Sequence, residues 1–445
     1  MPEARAPCRK TRLARFPPLA SAIVQDDVRI GAGELTARAT GLAARLREAG
    51  CGRVALRTDA AATVAVGLAA SAEAGCEIAL FRGEPAADHD LLGRLGAGAL
   101  IDDDLALRSL EPTGTAPGAG FRVLIATSGT TGTPKLARHT LDRLTARIRG
   151  PAVRHGRGRW LLAYHPASFA GIQVLLTALI SGDDLIAVSD ARASALAEAA
   201  LTHRPTLASG TPSFWRLFLI ALGDRARELA LEHITLGGEI ADQATLDRLG
   251  CVFPRAAVTH IYASTEAGAL FAVKDGRAGF PADWLKAPVD GAGLRIRDGL
   301  LEVESPRRME GYVDAEEGSD APGTGDGWLK TGDAVTRLGD RVLFLGRTDC
   351  VINVGGLKVS PEEVEAVLLE VEGVADAHVH GTKNAITGSL VTADVALETA
   401  QAPDRVREAL IGHARDRLDP HKVPRVIRFV EAIELTRSGK KARVR

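Results

Sequence analysis

Helical and extended patterns alternate through the first half of this chain, and that alternation restricts its fold more than any other feature. Residues 33–50 carry apolar positions at helical spacing and stop at Gly50. Residues 53–57 then read as a strand, 61–74 as a helix of small residues, and 77–81 as another strand. The pattern resumes with a buried strand over 121–126, a buried apolar helical run over 174–180, strand 185–188, helix 191–202, strand 207–209, helix 213–222 and strand 234–236. Strands separated by helices pair in parallel, and the helices cover the sheet faces.

Past about residue 285 the texture changes. Residues 294–297, 300–304 and 342–345 are short alternating strands that predict a small β-rich subdomain, and the Gly-, Asp- and Glu-rich segment 314–327 predicts an exposed loop. From residue 350 a compact α+β unit is expected. It comprises helix 361–369, opened by Ser360 as N-cap and Pro361 at the first position, strands 374–380 and 390–397, helix 403–418 and strand 426–430. The expectation is therefore an α/β protein with a large N-terminal domain of parallel sheets and flanking helices, a small β subdomain, and a small α+β domain at the C-terminus.

At 445 residues the chain has room for two or three domains, and 46% hydrophobic with 25% charged residues fits a soluble globular protein. A net charge of -1 gives no bulk field for nucleic acid or anionic membrane, and 4% aromatic residues offer little for base stacking. Neither partner is expected, and no run is long and apolar enough to span a bilayer. Cys8, Cys51, Cys76, Cys251 and Cys350 form no C-x-x-C pair, which argues against zinc or a disulfide framework and for a reducing cytoplasm. Residues 1–16 carry Arg5, Arg9, Lys10, Arg12 and Arg15 without a following apolar core, so they read as a basic tail rather than a secretory signal. The chain is expected to act as a monomer or homodimer on a small molecule.

The strand 121–126 leads into Thr127-Ser128-Gly129-Thr130-Thr131-Gly132-Thr133-Pro134-Lys135. Glycines let the backbone turn tightly and present N–H groups to a ligand, hydroxyls add donors, and Lys135 adds positive charge. The combination suits a polyphosphate. It is not a Walker loop, since no Gly-Lys-Ser/Thr closes it. A plain surface loop is the alternative, and the co-occurrence of strand, hydroxyls, glycines and lysine argues against it.

This segment resembles the phosphate-binding signature of the acyl-adenylate-forming superfamily, whose members include acyl- and aryl-CoA ligases, nonribosomal peptide adenylation domains and luciferases. Other landmarks follow in family order. Gly237-Gly238-Glu239 matches the segment lining the adenine pocket. Tyr262-Ala263-Ser264-Thr265-Glu266 resembles Tyr-Gly-x-Thr-Glu, which implies that Tyr262 flanks adenine, Thr265 contacts the α-phosphate and Glu266 ligates Mg²⁺. Thr331-Gly332-Asp333 resembles the element whose aspartate accepts from both ribose hydroxyls. Residues 346–365 resemble the family's hinge segment. There Arg347 is expected to reach ribose or phosphate, Asp349 to be the hinge, and Gly355 and Gly356 to enter the site for the second half-reaction. Leu435 to Arg443 contains Thr436-Arg437-Ser438-Gly439-Lys440, resembling the element with the adenylation lysine; Lys440 is the match and Lys441 the neighbouring alternative.

The resemblance implies an ATP- and carboxylate-binding domain over 1–348 and a mobile lid over 349–445. It also implies an enzyme that converts a carboxylic acid and ATP to acyl-adenylate and pyrophosphate, then passes the acyl group to a thiol, CoA above all. Thr131, Glu266 and Lys440 are the expected catalytic groups. Alternatives for the acceptor are a carrier-protein phosphopantetheine, an amine or another nucleophile, and a catalytically silent nucleotide-binding protein is the reading from another class. The acid pocket is expected around His165, Phe169, Ser209, Gly237 and Ala267, with His165 either orienting the carboxylate or simply packed. No acidic side chain offers itself to an α-amine, so an aryl or modest aliphatic acid is expected. The sequence departs from the family pattern at Leu136, Ala263, Asn353 and Lys358.

Overall fold

The computed structural model describes residues 15–83, 92, 95–110, 120–127, 135–148, 157–190, 192–313, 326–384, 388–398, 403–435 and 441. The basic tail up to residue 14, most of the 314–327 segment, Ser128 to Pro134 and Thr436 to Lys440 lie outside them.

Helix Ala32–Glu48 buries Leu35, Ala39, Leu42, Ala43 and Leu46, a stripe of three- and four-residue steps, and ends before Gly50, whose φ of 62° is left-handed. It packs on helix Ala61–Ala74, which is buried on nearly every side as its uniformly small apolar sequence requires. Two large sheets enclose this layer. The first has seven strands, in the order Gly311–Tyr312, Lys135–His139, Arg122–Thr127, Glu77–Phe81, Arg53–Arg57, Ala99–Ile101 and Leu107–Ser109; the middle four are parallel. The second has eight strands, in the order Gly268–Val273, Ala257–Ser264, His233–Gly237, Leu207–Gly210, Arg159–Leu162, Asp184–Ala187, Ile23–Gln25 and Val28–Ile30. All of its pairings are parallel except at the two edges.

The core follows the period-two rule of strands. Val54, Leu56, Ile78 and Val123 of one sheet face Trp160, Leu162 and Leu185 of the other across the shared helices, while Ala55, Ala79 and Leu124 line the opposite face. Helices Ala193–His203, Pro212–Leu222 and Gln243–Val252 cover the outer face of the eight-stranded sheet, burying Trp215, Phe218 and Leu249. Leu136, where glycine often stands in the family, fills the core behind the seven-stranded sheet.

A five-stranded antiparallel sheet, Phe280–Pro281, Arg341–Arg347, Leu329–Leu338, Leu300–Glu304 and Gly293–Arg297, forms the β subdomain with its own core around Phe271, Phe280 and Leu301. Beyond it the hairpin Ile352–Val354 and Leu357–Val359, helices Pro361–Leu368 and Pro403–Arg417, and the three strands Val374–Asn384, Gly388–Leu397 and Val426–Val430 share a separate apolar core. Ser360 precedes the first of these helices, but it does not cap it with its side chain. Its hydroxyl donates instead to the Leu345 carbonyl and lies 3.1 Å from Glu362, so it ties the unit to the β subdomain. Among the described residues no helix is long and apolar enough to cross a membrane.

Candidate active site

Four neighbouring parallel strands end at one place. The carboxyl ends of Arg159–Leu162, Leu207–Gly210, His233–Gly237 and Ala257–Ser264 present Tyr164 and His165, Ser209, Gly237 to Glu239, and Tyr262 to Glu266. Ligands of open α/β sheets bind at such carboxyl ends. Tyr164 reaches across the intervening strand and donates to the Gly237 carbonyl at 3.1 Å, which fixes the end of that strand. Burial pushes the Tyr164 phenol well above its ordinary pKa, so it stays a donor. Gly238 has a φ of 83°, a conformation that a side chain disfavours, and it turns the chain so that Glu239 accepts from Ser213 N at 3.0 Å. Ala263 is not among the left-handed residues, so alanine serves where the family has glycine.

Cross-strand register joins two distant motifs. Asp333 and Arg347 are direct partners on the antiparallel strands Leu329–Leu338 and Arg341–Arg347, with Arg347 Nη1 3.6 Å from Asp333 Oδ1. Tyr262 donates its hydroxyl to the other oxygen of Asp333. The Tyr262 ring stacks on Phe271 at 5.1 Å and on Phe344 at 5.0 Å. Burial raises the Asp333 pKa, although Tyr262 and Arg347 pull it back. Arg347 also holds Asp349, with Nε 3.0 Å from Oδ1; burial opposes the charged Asp349, yet this contact keeps its pKa below the ordinary value. The tight turn before Asp333 needs Gly332: φ is 76°, and an added Cβ would lie 3.2 Å from Arg347 Nη2.

A third cluster sits at Thr127 and Lys135, the two ends of the hydroxyl- and glycine-rich segment. Strands Arg122–Thr127 and Lys135–His139 pair antiparallel with Thr127 opposite Lys135, so residues 128–134 bridge a hairpin rather than lead into a helix. Lys135 Nζ lies 5.3 Å from the centre of the Tyr312 ring, and the Tyr312 hydroxyl donates to Glu266 Oε1 at 3.0 Å. Behind it, His139 is fully buried and its Nε2 lies 2.8 Å from the Thr265 carbonyl. That carbonyl can only accept, so Nε2 carries the proton. Burial pushes the His139 pKa down to about 4, which keeps the ring neutral.

A family model described as AMP-binding enzyme matches residues 99–313, and one described as AMP-binding enzyme C-terminal domain matches 363–440. The chain belongs to the AMP-binding enzyme family. It is 29% identical over 367 residues to a probable 2-succinylbenzoate–CoA ligase of Mycobacterium tuberculosis, covering 80% of this chain and 87% of that protein. It is also 29% identical over 385 residues to the 2-succinylbenzoate–CoA ligase of Geobacillus kaustophilus, covering 81% and 76%. A solved benzoate CoA ligase from Burkholderia xenovorans has the same fold, with a TM-score of 0.78, 24% identity and 97% of each chain covered. So does the anthranilate CoA ligase AuaEII in complex with anthranoyl-AMP, with a TM-score of 0.79, 19% identity and coverage of 97% and 94%. The enzyme class follows from the family: an AMP-forming ligase that activates an acid as its acyl-adenylate and then transfers the acyl group.

Within this AMP-binding enzyme the described residues expected at the nucleotide fall into the three clusters above, whereas Phe169, Ala267, Gly355 and Gly356 lie outside them. Ser128, Gly129, Thr130, Thr131, Gly132 and Lys440 lie outside the described residues. His165 is buried, with Nε2 2.6 Å from Asp59 Oδ1 and Nδ1 accepting from Ala167 N at 3.1 Å, so both ring nitrogens are engaged. Ser209 is buried beside Thr235, 2.5 Å hydroxyl to hydroxyl, while Phe169 and Ala267 are also buried. Gly355 and Gly356 form the turn of the exposed hairpin, where Asn353 Oδ1 accepts from Gly356 N at 2.9 Å. The alternative lysine, Lys441, is among the described residues. Its ammonium is buried against Asp376, at 3.0 Å, and Glu365, at 3.3 Å.

The sequence reading missed Tyr312 and His139. A signal existed for the first: the chain has three tyrosines, and each hydroxyl bonds a group at this site. Nothing local marked His139, which meets Thr265 only through the packing of the two sheets.

Proposed function

We propose that this enzyme is an aryl-acid–CoA ligase. The observation that carries the reading is the meeting, about the end of strand Ala257–Ser264, of the Tyr262–Asp333–Arg347 cluster with the Lys135–Tyr312–Glu266 group, beside the Gly237–Glu239 turn. Together they supply a diol acceptor, a flat backbone surface for a base and a cationic, hydroxyl-rich phosphate grip.

In this reading Asp333 accepts from both ribose hydroxyls, and Tyr262 fixes the carboxylate's orientation. Tyr262 and Gly237 to Glu239 border adenine, Thr265 contacts the α-phosphate, and Arg347 reaches ribose or phosphate. The segment Thr127 to Lys135, Thr131 included, holds the β- and γ-phosphates. Glu266 is a lone carboxylate, and no group of three or more His, Cys, Asp or Glu stands together as a metal cage among the described residues. That donor set fits Mg²⁺, which takes few protein ligands and completes its shell with phosphate oxygens and water. When bound there the ion would neutralise phosphate charge. A carboxylate oxygen of the acid attacks the α-phosphorus, the bond to pyrophosphate breaks, and Lys440 stabilises the charge that develops on the reacting oxygens. The unit beyond Asp349 then turns, withdrawing Lys440 and bringing Gly355 and Gly356 to the site. The CoA thiolate attacks the acyl carbon, and AMP leaves with the electron pair.

The aryl acid is supported by the names of the relatives, which act on succinylbenzoate, and of the fold neighbours, which act on benzoate and anthranilate. It is supported too by the apolar Phe169 and Ala267 beside the strand ends. The test is acid-dependent ATP–pyrophosphate exchange over a panel of substituted benzoates, succinylbenzoate and short aliphatic acids, with product masses read with and without CoA. Exchange with an aryl acid, an acyl-CoA product and loss of exchange in Lys440→Ala are expected. Exchange with aliphatic acids alone, or products formed only with an amine or a carrier protein, would overturn the substrate or the acceptor.

A further inference from the structure

Arg216, on helix Pro212–Leu222, is an arginine buried at the meeting of the large sheet domain and the C-terminal unit. Its guanidinium donates from Nε to Asp376 Oδ1 at 2.8 Å, from Nη1 to Asp242 Oδ2 at 3.0 Å and Thr245 Oγ1 at 2.9 Å, and from Nη2 to Ser213 Oγ at 3.0 Å. Asp376 belongs to the C-terminal strand Val374–Asn384 and is fully buried. The same Oδ1 lies 3.0 Å from Lys441 Nζ, which also contacts Glu365 and donates to the Ala377 carbonyl. The Lys441 backbone N–H donates to Glu239 Oε1 at 3.2 Å, and the other oxygen of Glu239 accepts from Ser213 N. The contacts form a closed ring: Ser213 and Arg216, Asp376, Lys441, Glu239, and back to Ser213.

We propose that Arg216, Asp376 and Lys441 are positioning residues that seat the chain end bearing Lys440 beside the nucleotide site for adenylation and release it for acyl transfer. The inference rests on the ligase reading above. Lys441 is the immediate neighbour of Lys440, so fixing its backbone on Glu239 fixes the approach of the next residue. The ring is also built to open. Within the ring, the contacts that cross between the two units are Arg216–Asp376 and Lys441–Glu239. When they part, Arg216 keeps Asp242, Thr245 and Ser213, while Asp376 keeps Lys441, and Lys441 keeps Glu365. A buried charge stripped of its only partner is strongly destabilising. Here neither half is left with one, so separation loses the crossing hydrogen bonds without stranding an ion.

The test separates the half-reactions in Arg216→Gln, with Asp376→Asn as a second variant altered on the other side of the boundary. Exchange of pyrophosphate into ATP is expected to fall about tenfold in each, the scale of losing one charge-assisted hydrogen bond. CoA-dependent consumption of supplied acyl-AMP is expected to stay within about twofold, a change too small to register as a lost contact. Hydrogen exchange over residues 431–445 of the full chain is expected to quicken in both variants. An equal fall in both half-reactions, or unchanged exchange in both assays, overturns the proposal. If one variant does not fold, as judged by its thermal transition, the other decides. Wild-type protein that exchanges with no acid, yet shows the protection change, would sink the ligase reading and leave the anchor standing. Wild-type protein that exchanges, with variants that match it throughout, would do the reverse.

Discussion

The Tyr312 hydroxyl donates to Glu266 Oε1 at 3.0 Å, joining an edge strand of the seven-stranded sheet to the end of a strand in the eight-stranded one. One oxygen of the proposed metal-binding carboxylate is thereby held in place before any ligand arrives, and Lys135 lies near the other side of the same phenol. Removing the hydroxyl as Tyr312→Phe should leave the fold intact. Hydrogen bonds to charged groups contribute about 1.5–3 kcal/mol, so the KM for Mg-ATP should rise roughly tenfold or more. Steady-state kinetics over a magnesium titration check this, and an unchanged KM would separate Tyr312 from nucleotide binding.

Asp333 carries a raised pKa because it is buried. A carboxyl whose pKa rises on folding holds its proton more tightly in the native chain, so its contribution to stability falls as pH rises past its ordinary range. Asp333→Asn should therefore melt no lower than the wild type at pH 7–8, while its affinity for ATP drops about tenfold or more from the lost ribose acceptor. Calorimetric binding and thermal melts of the same preparation test both parts. A lower melting temperature with ATP affinity intact would make Asp333 a structural residue.

His139 is a base whose pKa is lowered to about 4 in the folded chain, against about 6.5 when unfolded. The unfolded chain binds that proton first, so stability from this group is present above pH 6.5 and is lost as pH falls toward 4. In His139→Gln an amide can still donate to the Thr265 carbonyl, and this dependence should vanish. Urea denaturation between pH 8 and 5 should show the wild type losing stability faster than the variant, and parallel curves would count against a buried neutral imidazole.

Gly332→Ala places a methyl group at φ 76° beside Arg347. Left-handed backbone costs an ordinary L-residue about 1–2 kcal/mol, so the melting temperature should fall. The displaced guanidinium should also weaken ATP binding by more than Gly339→Ala, a control at φ 59° with open space around its Cβ. Equal effects of the two substitutions would remove the Arg347 argument.

Local order was legible in the chain wherever the pattern was strong. Helix 61–74 and strands 53–57, 77–81 and 426–430 match the structure residue for residue, because each is a short run of strong apolar patterning with clear breaks at its ends. Helix Gln243–Val252 was not read from the sequence, since its apolar positions Leu246 and Leu249 are sparse and its start depends on Asp242 capping Thr245 N. Ser360 looked like a cap and instead serves a contact between units, a choice made by the Leu345 carbonyl 15 residues away.

The sequence by itself determined the family, the alternation that builds the sheets, and the residue types gathered for phosphate, ribose and base, because these are written as short contiguous motifs. Only the tertiary structure decided how they work together. Asp333 meets Arg347 through antiparallel register, Tyr312 meets Glu266 through the meeting of two sheets, and the Lys441 ammonium is paired with Asp376 and Glu365. Those pairings span 14 to 76 residues of chain, as in Asp333–Arg347 and Glu365–Lys441. No local propensity encodes them; they exist because packing the shared cores brings these polar groups from distant segments within reach of one another.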